Sequence, residues 1–300
     1  FLLGLTGLSF LNAQTPLTNS NFQSAVNLWF SDEATATANY GHISDWNVTE
    51  VRNMQNAFKN RTAFNEDISG WDVSNVTNMH SMFRGASAFN QPIGDWNVSA
   101  VRNMHFMFMG ASLFNQSIGK WNVSSVTYMA EMFKEASAFD QSISDWNVSS
   151  VTNMSHMFYG TSFNQPLRDW NVSSVKNMGS MFNGTPFNQP IGNWNISSVT
   201  NMGSMFHESP FNQPIGDWNV SSVTNLSNMF KKASSFNQPI ENWDVSSVTN
   251  MAGMFNKSSF NQPIQNWNVS AVTKMNHMFA ETPFNQPIGN WDVSSVTSMG

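Results

Sequence analysis

Apolar residues return at fixed places every 24 or 25 residues along most of this chain. Each copy is anchored by one tryptophan, with isoleucine or leucine three residues before it and valine five residues after it. Methionine or leucine follows at the eighth residue, and most copies carry Met-Phe at the eleventh and twelfth. This period predicts a stack of identical small units rather than a globule with one buried pocket. The eleven anchors are Trp46, Trp71, Trp96, Trp121, Trp146, Trp170, Trp194, Trp218, Trp243, Trp267 and Trp291.

The length of the unit limits its structure. Two packed helices need about 33 residues, so each unit is expected to form one coil of a solenoid. We predict a leucine-rich-repeat-like stack of short strands, turns and at most one helical turn per coil. The turn-rich stretch F-N-Q-P-I-G-D-W-N-V at residues 89–98 predicts extended chain interrupted by turns. The stretch V-T-N-M-S-x-M-F at residues 151–158 permits either a helical or 3-10 turn or a second short strand.

Differences in length between copies fall in one stretch. Copies of 25 residues carry five residues between the two phenylalanines, as at residues 84–88, and copies of 24 carry four, as at residues 183–186. Insertions are tolerated best in surface loops, so this stretch is predicted to be a loop on one edge of the stack.

The aromatic and methionine residues are predicted to form the core. Repeat positions hold 19 of the 20 methionines, 20 of the 25 phenylalanines and 11 of the 12 tryptophans. Met and Phe at fixed positions stack on their counterparts in the next unit and fill irregular space. This interpretation is preferred to a methionine-rich metal site, and it places the tryptophans inside rather than on a sugar-stacking surface.

Polar residues repeat as faithfully as apolar ones. Position 7, the seventh residue after the repeat tryptophan, is asparagine in most copies but is Tyr128, Lys274 and Ser298 in three. We predict a structural ladder of side-chain amides bonded to the backbone, with an exposed array that binds glycan or protein as the alternative. The residue after tryptophan is Asn in a sequon in eight copies and Asp in three, which favours an Asx turn over glycosylation.

Composition narrows the classes of function. Charged residues make up 11 % of the chain, the formal net charge is −6 and no basic run occurs, so no nucleic-acid partner is expected. The chain has no cysteine, which excludes disulfides and thiolate metal sites. No catalytic motif is present, so we predict a non-enzyme without catalytic residues, metal or cofactor. The six histidines do not all share one repeat position and are interpreted as surface variation; they are His42, His80, His105, His156, His207 and His277.

The two ends differ from the middle. Residues 1–14 resemble the tail of a secretory signal peptide, with an apolar stretch too short for a transmembrane helix. Residues 15–42 are predicted to cap the stack, with an amphipathic helix at residues 21–40 that carries Phe22, Val26, Trp29 and Phe30. Residues 43–300 hold the eleven repeats, and we expect a fragment whose last repeat is truncated.

The unit M-F-x-x-A-S-x-F-N-Q-P-I-x-x-W-N-V-S-S-V-T-N-M resembles the BspA-like surface-protein repeats over about residues 22–300. It is most similar to the branch of unknown function found in mycoplasma surface proteins and in many marine bacteria and algae. The resemblance implies a leucine-rich-repeat-like solenoid in a secreted or cell-surface protein, with adhesion or protein binding as the suggested role. It brings no catalytic residues.

We therefore expect a secreted or cell-surface binding or adhesion module that contacts an extracellular protein or glycan. Its binding residues are unknown from sequence and are sought among exposed ladder positions and the edge loops. The alternative is a structural spacer or envelope component that displays a further domain. A weaker hypothesis, ice or mineral binding, rests on threonines at position 6, a row that Arg52, Arg102 and Lys176 interrupt. The sequence gives no indication of oligomeric state.

Overall fold

The computed structural model describes residues 14–299. The signal-peptide tail predicted for residues 1–14 therefore lies outside the described residues, except for Gln14. The described chain begins with two helices, α1 (Phe22–Ser31) and α2 (Glu33–Tyr40), and a 3-10 turn at Ile43–Asp45. Residues 46–299 consist of turns, irregular chain and isolated β-bridges.

The N-terminal segment folds as two helices where the sequence predicted one. The break lies at Asp32, whose backbone is extended at φ −155°, and its side-chain Oδ1 accepts the Thr35 N–H at 3.0 Å. This bond caps the start of α2, because an N-cap side chain satisfies an N–H that the first turn leaves free. The helical period runs across residues 21–40 without a gap, so the pattern alone does not locate the cap.

Helix α1 packs on the first repeats and covers their apolar end. Its buried residues include Phe22 and Trp29. The Phe22 ring lies edge-on to Trp71 at 6.0 Å between centroids, and Trp29 lies edge-on to Trp46 at 6.2 Å. Repeat stacks need such a covering element, because the first repeat would otherwise expose its core face.

Consecutive repeats, numbered 1 to 11 in the order of their tryptophans, are joined by parallel one-residue bridges at position 7. These bridges run from Asn53 and Asn78 to Lys274 and Ser298. The expectation of short strands is wrong for residues 14–299, where each repeat supplies a single bridge residue. The physical reason lies at positions 10 and 14, where φ is between +53° and +70° in repeats 1 to 10 and ends the extended backbone.

Backbone hydrogen bonds replace the missing strands. In repeat 5 the N–H groups of Met154, His156 and Phe158 donate to carbonyls of repeat 6 at 2.9 to 3.0 Å. These donors occupy positions 8, 10 and 12, and Gly160 at position 14 continues the series at 2.9 Å. Every second N–H therefore points to the next repeat, so the turns satisfy their buried polar groups without a sheet.

The tryptophans of repeats 1 to 10 are buried, as predicted, and Trp291 in the last repeat is partly buried. Trp146 is 3 % exposed, lies parallel to Trp121 at 6.4 Å between ring centroids, and donates its Nε1–H to the Ile118 carbonyl at 3.1 Å. The phenylalanines form a second column, in which Phe133 and Phe139 stack at 3.9 Å. One continuous hydrophobic core runs through the stack, so the buried repeat tryptophans are not available to a ligand.

Asx turns follow the repeat tryptophans, which confirms the role predicted from the exchange of Asn and Asp. The Oδ1 of Asn147 accepts from the N–H and Oγ–H of Ser149 at 3.2 and 2.7 Å. Asp244 makes the same two bonds with Ser246 at 3.1 and 2.6 Å. The bonds from Ser246 also hold the pKa of Asp244 below its ordinary value. Either side chain offers the required oxygen.

Candidate ligand-binding surface

The asparagines at position 7 form the ladder that the sequence predicts. The Oδ1 of Asn177 and the Oδ1 of Asn201 each accept the backbone N–H two residues later at 3.0 Å. The Asn201 Nδ2 donates to the Asn177 Oδ1 at 3.0 Å, and the Asn225 Nδ2 donates to the Asn201 Oδ1 at 2.9 Å. These amides are therefore used within the stack rather than offered to a ligand.

Repeat 4 departs from this ladder because Tyr128 occupies position 7. Tyrosine has no oxygen near its own backbone to accept the N–H of Ala130 at position 9. Ala130 is 3 % exposed, and its N–H forms no hydrogen bond within residues 14–299. A buried N–H without a partner costs about 1–3 kcal/mol, so tyrosine lowers stability at this position.

The contact between repeats 4 and 5 is also loosened at Tyr128. The position-8 N–H bonds to the next repeat in nine repeats, but at Met129 this bond is not formed in the described structure. The Thr152 N–H lies 3.5 Å from the Thr127 carbonyl, whereas the corresponding distance is 2.8 to 3.0 Å at the other repeat junctions. Residues that lower the stability of their own fold are expected at functional sites.

An open pocket of about 270 Å³ lies beside Tyr128. It is lined by Asn103, His105, Tyr128, Ala130 and Asn153. The Tyr128 side chain is unusually accessible at 59 % exposure. His105 and the smaller Ala130 occupy position 9 of repeats 3 and 4, and both line the pocket. Small residues occupy position 9 in most later repeats as well, so the large Tyr128 at position 7 is what sets repeat 4 apart.

The pocket retains free hydrogen-bond donors. Asn103 and Asn153 use their Oδ1 atoms for the backbone N–H two residues later, at 3.1 and 2.9 Å. Neither Nδ2 donates a hydrogen bond to another group in residues 14–299. These two side-chain amides therefore offer free donors on either side of one exposed aromatic ring.

Histidine and aromatic rings extend the pocket toward repeat 2. The His105 ring lies 3.7 Å from Phe106 and 5.6 Å from His80, measured between centroids. The Arg84 guanidinium lies 5.1 Å from the Phe106 ring centroid. Burial lowers the pKa of both His80 and His105, and for His105 the nearby His80 adds to the effect. The imidazoles are therefore neutral at pH 7.

A second polar cluster lies at positions 10 and 13 of repeats 4 and 5. Glu131 pairs with Lys134 at 3.1 Å, and the Lys134 Nζ lies 5.6 Å from the Tyr159 ring centroid. His156 lies 5.9 Å from Tyr159 between centroids, and burial lowers its pKa. These contacts link the two repeats on the side of the edge loops.

The remaining histidines are dispersed. His42 bonds Ser44 through Nδ1 at 2.8 Å, His207 lies 3.2 Å from Asn183 through the same atom, and His277 is exposed. His80, His105, His156 and His207 are half-buried, and the rings of His80 and His105 lie next to each other, whereas His42 and His277 are exposed. The interpretation of the histidines as surface variation rather than ligands stays a prediction. Residues 14–299 contain no group of three or more His, Cys, Asp and Glu residues placed to hold a metal ion.

The threonine row at position 6 also serves the stack. The Oγ1 of Thr200, Thr224 and Thr249 each donates to the position-6 carbonyl of the preceding repeat at 3.2 Å. A hydroxyl bonded in this way has lost its donor for an ice or mineral surface. In the part of the chain that the structure covers, no helix is long and apolar enough to cross a membrane.

The Tyr128 pocket was not predicted from the sequence. The sequence does carry its signal, because Tyr128 interrupts the asparagine row and Ala130 follows two residues later. The sequence shows the interruption of the asparagine row, but the unpaired Ala130 N–H and the cavity depend on how adjacent repeats pack. The structure thereby assigns one exposed ladder position to the candidate site.

Comparison with known proteins agrees with the repeat pattern. The family described as "Mycoplasma protein of unknown function, DUF285" matches residues 24–143, 93–186, 114–214 and 207–300. A crystal structure of a leucine-rich repeat protein from Bacteroides ovatus is similar at 10 % identity, covering 84 % of this chain and 79 % of that chain with a TM-score of 0.23. No curated protein matches the sequence. Because the family matches tile almost all of the repeats, the chain belongs to the DUF285 family.

Proposed function

We propose that this chain is a binding module of a secreted or cell-surface protein, in which a BspA-like solenoid presents an elongated surface to an extracellular protein or glycan. The observation that carries the proposal is the Tyr128 pocket. Tyrosine there exposes an aromatic ring at the expense of a backbone hydrogen bond that asparagine makes in eight other repeats. Of the three residues that replace asparagine at position 7, Tyr128, Lys274 and Ser298, it is Tyr128 that places an aromatic ring beside a pocket.

The chemistry of the pocket favours binding over catalysis. Its five lining residues supply amides, a phenol, an imidazole and a methyl group. A catalytic site needs a nucleophile beside a base, or paired acid and base groups. The pocket supplies neither constellation, so we expect a ligand to leave it chemically unchanged.

A structural spacer is the second candidate, and repeats 6 to 8 favour it. Their position-7 amides bond to one another, and the column offers no exposed aromatic ring. Repeats of this kind form stiff rods, because each repeat contacts only its neighbours through the same set of bonds. We propose that these repeats hold the pocket-bearing repeats away from the surface to which the protein is attached.

The full chain tests this proposal when it is immobilised and screened against a glycan array and a panel of purified extracellular proteins. The wild-type chain should bind at least one probe, and Tyr128→Asn should weaken that binding at least ~10-fold, as expected for a central aromatic contact. Lys274→Asn is the matched control, because it makes the same exchange at position 7 of repeat 10 and should leave binding unchanged.

Two results would contradict the binding proposal. The first is a wild-type chain that binds no probe in either screen, which would leave the spacer function. The second is equal loss of binding in Tyr128→Asn and Lys274→Asn, which would point to the whole ladder rather than the pocket.

A further inference from the structure

The pocket beside Tyr128 carries no formal charge. Its lining contains two amides, a phenol, an alanine and His105, whose imidazole burial keeps neutral at pH 7. Arginine and lysine side chains are common partners of phosphate, sulfate and carboxylate groups, and the lining has neither. A neutral ligand therefore matches this pocket better than an anionic one.

The size of the pocket excludes a large partner from entering it. At about 270 Å³ it is smaller than most drug-sized sites and close to the space that one sugar ring with its hydroxyls needs. A stable protein–protein contact buries about 800 Å² on each partner. The pocket alone does not supply such an area.

The pocket combines an apolar surface with polar groups, as the binding of a sugar ring requires. Tyr128 presents an apolar ring surface with a polar hydroxyl, and a pyranose presents an apolar C–H face with hydroxyls around its edge. Asn103 and Asn153 flank Tyr128 on the adjacent repeats, one inter-strand spacing of about 4.8 Å away on each side. Their Nδ2 groups donate to no other group in residues 14–299 and are free to donate to sugar hydroxyls.

We propose that this pocket binds one pyranose ring of a neutral glycan, stacked on Tyr128 and hydrogen-bonded by Asn103 and Asn153. The inference rests on the proposed binding function and specifies its ligand class. The tyrosine exchange at position 7 occurs once in the chain, so the stoichiometry is one site per chain despite the eleven repeats.

The inference is tested with the full chain and four neutral trisaccharides, built from β-1,4-glucose, α-1,4-glucose, β-1,4-mannose and β-1,4-N-acetylglucosamine. A sulfated heparin trisaccharide is the charged comparison. Saturation-transfer NMR detects binding, and titration calorimetry gives the stoichiometry. At least one neutral trisaccharide should bind with one site per chain and a Kd below about 5 mM, and the sulfated probe should not bind.

Three variants separate the pocket from the fold. Tyr128→Asn and Ala130→Leu should each weaken binding at least ~10-fold, by removing the ring and by filling the pocket. Tyr128→Phe keeps the ring and should stay within ~3-fold of wild type. Unfolding does not account for the loss in Tyr128→Asn, because asparagine restores the bond to the Ala130 N–H and should raise the melting temperature.

The outcomes distinguish this inference from the broader function. The inference is overturned if no neutral trisaccharide binds, if Tyr128→Asn binds like wild type, or if several sites per chain are found. If a protein probe binds through Tyr128 while every trisaccharide fails, the ligand class is wrong and the binding function stands. If neither trisaccharides nor proteins bind, both proposals are wrong.

Discussion

In repeats 6 to 8 the asparagines at position 7 bond both to their own backbone and to one another, whereas Tyr128 in repeat 4 makes neither kind of bond. The core beneath both regions is the same, with Trp121 and Trp218 each 3 % exposed. A repeat stack can therefore change one surface position with only a local loss of stability, because each repeat contacts only its neighbours.

Earlier and later repeats also differ in the residue at position 14, where φ is positive in repeats 1 to 10. Glycine fills this position at Gly85, Gly110, Gly160 and Gly184, while the later repeats carry Glu208, Lys232, Lys257 and Glu281. The charged residues form ion pairs along the stack, Lys232 with Glu208 and Lys257 with Glu281. These pairs offset part of the strain of a side chain in the left-handed region.

The largest expected effect tests whether the core is the same in the two regions. Trp146→Ala and Trp218→Ala should each lower the free energy of unfolding by about 3–5 kcal/mol, the usual range for truncating a buried tryptophan. Both rings are 3 % exposed and donate Nε1–H to a carbonyl of the preceding repeat, at 3.1 and 3.2 Å. Urea denaturation followed by circular dichroism measures the change. An unaltered midpoint in either variant would place that tryptophan outside the core.

The next largest effect is expected when tyrosine is placed at position 7 of repeat 7, within the bonded asparagines of repeats 6 to 8. Asn201→Tyr should lower the free energy of unfolding by about 1–3 kcal/mol, because it leaves the Gly203 N–H without an acceptor. It also removes the amide bonds that Asn201 makes with Asn177 and Asn225. Urea denaturation again measures the change, with Thr200→Ser at the neighbouring exposed position as the control. A variant as stable as wild type would show that the ladder contributes nothing.

A smaller effect concerns position 14. Glu135 has φ +61° and belongs to no salt bridge within residues 14–299, so Glu135→Gly should raise the free energy of unfolding by about 0.5–1 kcal/mol. Lys232→Gly relieves the same strain but also removes the ion pair with Glu208, and should change stability less at low salt. Thermal melts at two salt concentrations separate the effect of the backbone strain from that of the ion pair. Equal gains in both variants at low salt would show that the ion pair contributes nothing.

The smallest effect is a dependence on pH to which repeats 2, 3, 5 and 7 contribute. Burial lowers the pKa of His80, His105, His156 and His207 from 6.5, so the unfolded chain binds more protons just below that pH. Their contribution is fully present above pH 6.5 and is lost as the pH falls toward the folded pKa values. The urea midpoint should therefore drop between pH 7.5 and 5.0, and less in His105→Gln. A drop of the same size in both proteins would rule out this role for His105.

The repeated core was predictable because its residue types recur at fixed positions. Trp146 is buried and Asn147 forms an Asx turn, as their companions in the unit implied. The backbone path was not predictable, because residues such as Glu131 and Lys232 carry no sign that their φ is positive. The repeat pattern did not predict the pocket beside Tyr128 either. It depends on Asn103 and Asn153, which the stack brings beside Tyr128 from 25 residues away on either side.

Tyr128 exchanges stability for binding, and the variant Tyr128→Asn changes both properties at once. Thermal melting and glycan or protein binding are measured on the same preparation. We expect a rise of about 1 kcal/mol in the free energy of unfolding, from the restored bond to the Ala130 N–H, together with loss of binding. A fall in stability, or binding equal to wild type, would contradict it.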